Sequence, residues 1–195
     1  MSTVDETATA IRAGKLAIVP TDTVYGLAAR ADSEDAARAL YRLKGRKAIL
    51  PTALVFASVD VVRDRIGELP ASVSLLLPGP FTLVVPNPKR RYPWLTGARP
   101  EAIGVRVPNA EGVVRELLDA VGAIVATSAN LPGEPSPTSL DEVPAGLREG
   151  VAATLDGGRL PGRASTVIDL TGAEPFVLRE GAVTAAEALR RLTGS

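Results

Sequence analysis

Short apolar runs alternate along this chain with segments whose apolar residues recur every three or four positions. That alternation limits it to a fold in which strands and helices interleave. Residues 16–19 are such a run, closed by Pro20, and read as a buried strand entering the loop Thr21-Asp22-Thr23-Val24-Tyr25-Gly26. Ser33 then caps a helix with Glu34 and Asp35 in its first turn and Ala36, Leu40 and Leu43 on one face. Residues 53–56 read as a strand, Ser58 as the cap of a helix carrying Val61, Val62 and Ile66, and 71–77 as an apolar helix stopped by Pro78-Gly79-Pro80. Strands are expected at 81–85, 103–107 and 123–126, with a helix between the last two where Val113, Val114, Leu117, Leu118 and Val121 share helical spacing. Ser139 with Glu142 has the pattern of a capping box. Strand candidates at 152–155, 166–170 and 176–178 follow, and Thr184 with Glu187 caps a last helix whose apolar face includes Ala188 and Leu192.

The expected fold is therefore α/β, a twisted mixed β-sheet with flanking helices. A length of 195 residues without an internal repeat or a composition break suits one domain over 1–195. The stretch 132–137 is the most linker-like, and it is short enough to read as a loop over a site.

Two residue types are missing altogether: there is no histidine and no cysteine. Catalysis by Ser-His-Asp or Cys-His sets, imidazole metal sites, thiolate chemistry and disulfides are thereby excluded. An enzyme built from this chain works with Lys, Arg, Asp, Glu, Ser, Thr, Tyr, backbone amides or a hard metal held by oxygen. The 22 basic and 22 acidic side chains balance, which argues against a protein that coats nucleic acid or a membrane electrostatically. Residues 1–10 contain Asp5 and Glu6 and no basic side chain, unlike a signal or transit peptide, and no apolar run approaches the roughly 20 residues that span a bilayer. A cytoplasmic protein is the expectation.

Open α/β sheets bind ligands beyond their strand ends, and several strands here end in polar segments. Arg106 stands between Val105 and Val107 and by alternation points away from both, toward solvent or toward a lined cavity. Lys44, Arg46 and Lys47 gather at a helix C-terminus, where they either complement the helix dipole or clamp an anion. Ser128 and Asn130 either face one ligand together or bond the backbone in a turn. Ser165-Thr166 and Arg179 read equally as a turn and a surface ion pair. No glycine-rich phosphate loop of the Walker or Rossmann type is present, and Asp22, Asp156 and Asp169 look isolated, so no protein-built metal cage is expected.

Seven ordered segments nevertheless resemble the YrdC/TsaC family, the threonylcarbamoyl-AMP synthases, in its short single-domain form. They are Pro20-Thr21-Asp22-Thr23-Val24-Tyr25-Gly26-Leu27, Lys44-Gly45-Arg46 with Pro51, Pro78-Gly79-Pro80-Phe81-Thr82-Leu83, and Gly104-Val105-Arg106-Val107-Pro108. After these come Thr127-Ser128-Ala129-Asn130 with Gly133 and Pro135-Ser136-Pro137-Thr138, then Ser165-Thr166-Val167-Ile168-Asp169, and Leu178-Arg179-Glu180-Gly181. The segments cover about 11–183, leaving 1–10 as an N-terminal segment and 184–195 as a C-terminal helix.

The resemblance implies a YrdC-like fold around a large basic concave cavity, and a reaction in which L-threonine, bicarbonate or CO2, and ATP give threonylcarbamoyl-adenylate and diphosphate. It implies Mg2+ arriving with ATP, no organic cofactor, and a downstream transferase that modifies tRNA. It implies nucleotide contacts from Lys44, Arg46, Leu50, Ser128, Asn130, Ser136 and Arg179, with Lys44 and Arg46 as the catalytic cations. Threonine contacts fall on Thr23, Arg106, Ala126 and Ser165. The loop 131–138 is a candidate lid. A non-catalytic relative that binds RNA is the alternative. Two departures stand out: Lys47 where proline is usual, and Thr52 where leucine is usual.

Overall fold

Capping side chains set where the helices begin, and the elements follow in the expected alternation. The computed structural model describes residues 1–45 and 50–193. It opens on a helix not expected from the sequence, α1 (Val4–Arg12). The Thr3 hydroxyl accepts from the Glu6 amide at 3.2 Å while the Glu6 carboxylate accepts from the Thr3 amide at 2.8 Å, so two otherwise orphaned donors are satisfied together. Next come β1 (Ala17–Val19), β2 (Gly26–Arg30), α2 (Glu34–Lys44), β3 (Leu54–Phe56) and α3 (Val59–Ile66). They are followed by β4 (Phe81–Pro86), β5 (Ala102–Arg106), α4 (Gly112–Val121), β6 (Ala123–Ser128), α5 (Ala145–Glu149) and β7 (Ala153–Thr154). The chain continues through β8 (Thr166–Asp169), β9 (Phe176–Arg179) and α6 (Ala185–Thr193).

Two expectations are corrected. The apolar segment 71–77 is a 3-10 turn, Ala71–Leu75, since Pro70 and Pro78 leave too little chain between them for a stable α-helix. Ser139 makes no capping bond. The Glu142 carboxylate instead accepts from the amide and hydroxyl of Thr138, at 2.7 and 2.9 Å, and Pro144 confines the turn to Leu140–Glu142. By contrast, Ser33 and Ser58 cap α2 and α3 through the amides of Ala36 and Val61, and Thr184 accepts from Glu187 at the start of α6.

Among the described residues, nine strands form one twisted mixed sheet in the order β7-β1-β2-β6-β3-β5-β4-β8-β9. Three of the eight pairings are parallel, β1 with β7, β3 with β5 and β4 with β8. Because side chains alternate, the register sorts the strands into two faces. Across one face runs an unbroken row of partners, Ala29, Val125, Leu54, Val105, Leu83 and Ile168, all fully buried. Its cover is supplied by Leu40 and Tyr41 of α2, Val62 and Ile66 of α3, and Ala188 of α6. On the opposite face, Ala8 and Ile11 of α1 and Leu117 and Leu118 of α4 cover Ala17, Ala28, Val55 and Ile124. That second layer is narrower, and among the described residues the remainder of its face carries no helix.

Leu54 sits mid-row with no exposure, so Leu54→Ala should cost about 2–5 kcal/mol, read as a lower denaturant midpoint with an unchanged m-value.

Candidate functional site

Where α1 and α4 stop, the sheet face turns to small residues. Gly26, Ala53, Gly104 and Ala126 form part of the floor of a cavity of about 460 Å³, within the usual range for small-molecule sites. The floor is tight: a methyl group added at Gly104 would lie 3.3 Å from both Cα and Cβ of Ala53.

Arg106 projects from this floor at the end of β5. Its Nη2 donates to Asp22, and to Thr23 Oγ1 at 2.7 Å. The Thr21 hydroxyl spends its only proton on Val24 O at 2.7 Å, so in the 3.1 Å contact between the two threonine hydroxyls Thr23 is the donor. Thr23 is 1% exposed and does not line the cavity; it stands behind Arg106. Burial pulls the guanidinium below its ordinary range, Asp22 opposes that, and the neighbouring charge of Arg179 adds to the lowering. Arg106 Nε is buried without a hydrogen-bond partner.

Lys44, the last residue of α2, is 4% exposed. The chain leaves it through Gly45 at φ 66°, the left-handed turn that glycine adopts without strain. Lys44 Nζ donates to Ser128 O, to Ser128 Oγ at 3.3 Å, to Asn130 O at 2.9 Å and to Asn130 Oδ1 at 2.8 Å, four neutral acceptors at the end of β6. Ser128 also donates to Asn130 Oδ1, and Asn130 Nδ2 donates to Glu134 O, which roots the loop beyond β6. Ser136 of that loop lines the cavity. Tyr25 fastens the loop: its amide donates to Pro137 O and its carbonyl accepts from Ala129, both at 2.9 Å. Its hydroxyl meets Asp156 and Gly158 O at 2.8 Å and accepts from the Gly157 amide at 3.0 Å. Burial, with Asp156 beside it, pushes the phenol up to about 12. The Gly158 amide and the Tyr25 hydroxyl hold Asp156 below the usual carboxylate range.

On the far side, Ser165 lines the cavity with its hydroxyl 2.7 Å from that of Thr82, and Arg179 Nη2 donates to Ser165 O at 2.8 Å. Thr166 turns the other way, accepting from the amides of Gly181 and Val183. A Cβ at Gly181 would sit 2.1 Å from Ala164 O, so only glycine allows this approach.

Of the residues expected from sequence, Arg106, Ala126, Ser128, Ser136, Ser165 and Arg179 line one cavity. Lys44 and Asn130 lie buried beneath Ser128, Thr23 lies behind Arg106, and Leu50 is 46% exposed and not part of the lining. Arg46 and Lys47 fall outside the described residues. Asp22 and Asp169, isolated in the sequence, are paired with Arg106 and Arg99. Arg99 also lines the cavity and is not expected from sequence; besides Glu101 at 3.5 Å, its partners Asp169 and Thr171 lie about 70 residues away and leave no local signal. Thr52, one of the two departures, lines the cavity with a buried hydroxyl that lacks a partner. Among the described residues no three His, Cys, Asp or Glu side chains cluster as a metal site, and no helix is long and apolar enough to cross a membrane.

Known proteins share this fold. The Sua5/YciO/YrdC family model, described as telomere recombination, matches residues 9–181. A threonylcarbamoyl-AMP synthase of Pyrococcus abyssi is 38% identical over 176 residues, 88% of this chain and 52% of that protein. The crystal structure of P. abyssi Sua5 complexed with L-threonine superposes with a TM-score of 0.89 at 35% identity, over 98% of this chain and 57% of that one. E. coli YciO gives a TM-score of 0.84 at 25% identity, over 95% and 92% of the two chains. This chain thus spans about half of the Pyrococcus protein and nearly all of YciO.

Tyr25 offers a test of the loop anchor. Its folded-state pKa lies above the ordinary value of 10.0, so the stabilisation is complete below pH 10 and is lost as pH rises from there through about 12. Tyr25→Phe should be less stable than the parent at neutral pH, and the gap between the two should narrow across that window in denaturant titrations.

Proposed function

Because this chain belongs to the Sua5/YciO/YrdC family, we propose that it is a threonylcarbamoyl-AMP synthase, joining L-threonine, bicarbonate or CO2, and ATP. The observation that carries this reading is the convergence of Arg106, Ser128, Ser136, Ser165 and Arg179, from distant points of the sequence, on one cavity. Arg179 is near enough for its charge to disfavour that of Arg106, an effect that an anion bound between them offsets. On this reading the cavity is basic in function although the chain is neutral overall.

In the proposed reaction the threonine amine adds to CO2 and gives up a proton to bicarbonate, leaving a carbamate. A carbamate oxygen then attacks the α-phosphorus of ATP, and the bond to the β-phosphoryl oxygen breaks to release diphosphate. Charge on the phosphoryl oxygens and the leaving group calls for fixed cations and amides, not a titrating base. That demand suits a chain without histidine. Arg106 takes the threonine carboxylate, with Thr23 holding the guanidinium, and Ser165 and Ala126 border the amino acid. Arg179, Ser128 and Ser136 meet the nucleotide. Lys44, from beneath Ser128, supplies charge and holds the serine and Asn130 in place; Arg46 and Leu50 are assigned to the nucleotide from the family pattern alone. Magnesium enters as the ion bound to the phosphates of ATP. The concave site and the loop 131–138 keep the short-lived carbamate beside ATP and away from water. The adenylate then passes to a tRNA-modifying transferase in the cytoplasm, where we place this protein.

The test is diphosphate release from MgATP. Release should require both threonine and bicarbonate; release that ignores them overturns the assignment. Arg106→Ala should raise the KM for threonine at least about tenfold with a much smaller change for ATP. Lys44→Ala should lose most adenylate formation and unfold at lower denaturant, because two buried oxygens of Asn130 and two half-buried oxygens of Ser128 lose the ammonium they share.

A second reading, RNA binding without synthesis, is favoured by one feature. Lys89, Arg90 and Arg91 are exposed on a turn fixed by the buried Asn87, which donates to Arg91 O and Pro100 O and accepts from the Arg91 amide. RNA held there should dissociate as salt rises from about 50 to about 200 mM, and Arg90→Glu with Arg91→Glu should abolish the binding; diphosphate release that requires threonine and bicarbonate overturns this second reading.

A further inference from the structure

We infer that Asp22 is a positioning residue that locks the Arg106 guanidinium into one orientation, so that Arg106 meets a carboxylate already aimed. The inference rests on the reading of Arg106 as the partner of the threonine carboxylate. Asp22 does not line the cavity, so it acts through Arg106 and not on the ligand. The side chains of the pair are 8% and 10% exposed, and the contact is made by Nη2, the same nitrogen that donates to Thr23 Oγ1. One edge of the guanidinium is thus occupied on the protein side.

Each component of the lock is itself held. Asp22 Oδ2 accepts from the Asn109 amide at 3.3 Å, three residues beyond Arg106, so the carboxylate is tied to the loop that follows the strand carrying its partner. The Thr23 hydroxyl donates to Thr21, which donates to Val24 O, so its lone pairs face Arg106 and it cannot rotate to offer a proton instead. A freely rotating arginine loses rotamer entropy when it grips a ligand; here folding meets that cost before the ligand arrives. The carboxylate also offsets the burial that lowers the affinity of Arg106 for its proton.

The experiment compares the full-length protein with Asp22→Asn in two measurements. In nitrogen-15 spectra of arginine side chains, with Arg106→Lys used for assignment, the parent should show separate Arg106 Nη signals from slowed rotation, and Asp22→Asn should average them. By calorimetry, Asp22→Asn should raise the threonine Kd at least about tenfold and leave the MgATP Kd within about twofold. Against an Arg106→Met background, which also removes the unpaired buried charge should Asp22→Asn alone fail to fold, the change at Asp22 should move the threonine Kd less than about twofold. Unaltered Nη signals, an unaltered threonine Kd, or additive effects of the two substitutions would each overturn the role. If the parent binds no threonine, the substrate reading falls, and the Nη spectra alone then decide whether Asp22 locks Arg106.

Discussion

A nine-stranded sheet has two faces to keep from water, and the way this chain covers them governs everything else about it. One face is closed by α2, α3 and α6 over large aliphatic and aromatic side chains. The other is covered by α1 and α4 over part of its width, and beyond them Gly26, Gly104 and Ala126 stand among Val84 and Val167. Small residues there achieve two things: neighbouring strands approach closely, as Gly104 does to Ala53, and volume remains above them. The cavity therefore follows from where the second layer of helices ends, with Thr82 and Arg106 rising from the strands and further polar side chains reaching in from the loops.

Those side chains share a second constraint, which is that they are held before any ligand is present. Lys44 is fixed by four oxygens, Arg106 by Asp22 and Thr23, and Arg179 by the Ser165 carbonyl. A site meant to stabilise charge that appears only during reaction gains from such fixity, since no reorganisation is then needed at the moment of transfer. Side chains that hold such charge need not change protonation near neutrality, so lysine and arginine serve in a chain without histidine.

How much of this was legible in the sequence depended on range. Alternation around Arg106 correctly turned it away from Val105 and Val107, and the structure resolves the open choice in favour of the cavity. Capping serines located α2 and α3 from three or four residues of context. The strand β2 went unread because Gly26-Leu27-Ala28-Ala29 has weak strand preference and is held by its neighbours on either side. The partner of Arg106 lies 84 residues away at Asp22, beyond any local signal. Thr23 matched a family pattern, but nothing in the pattern indicated that its hydroxyl faces Arg106 and not the cavity.

The amide, carbonyl and phenol of Tyr25 reach the loop before Thr138, the end of β6, and the turn at Asp156-Gly157-Gly158. Three pieces of chain therefore hang from a single residue. Loops with separate anchors can loosen one at a time, each with its own opening free energy. Here amides as far apart as Ala129 and Gly157 share one support besides their own anchors, so a substitution at Tyr25 removes a contact from all three segments at once.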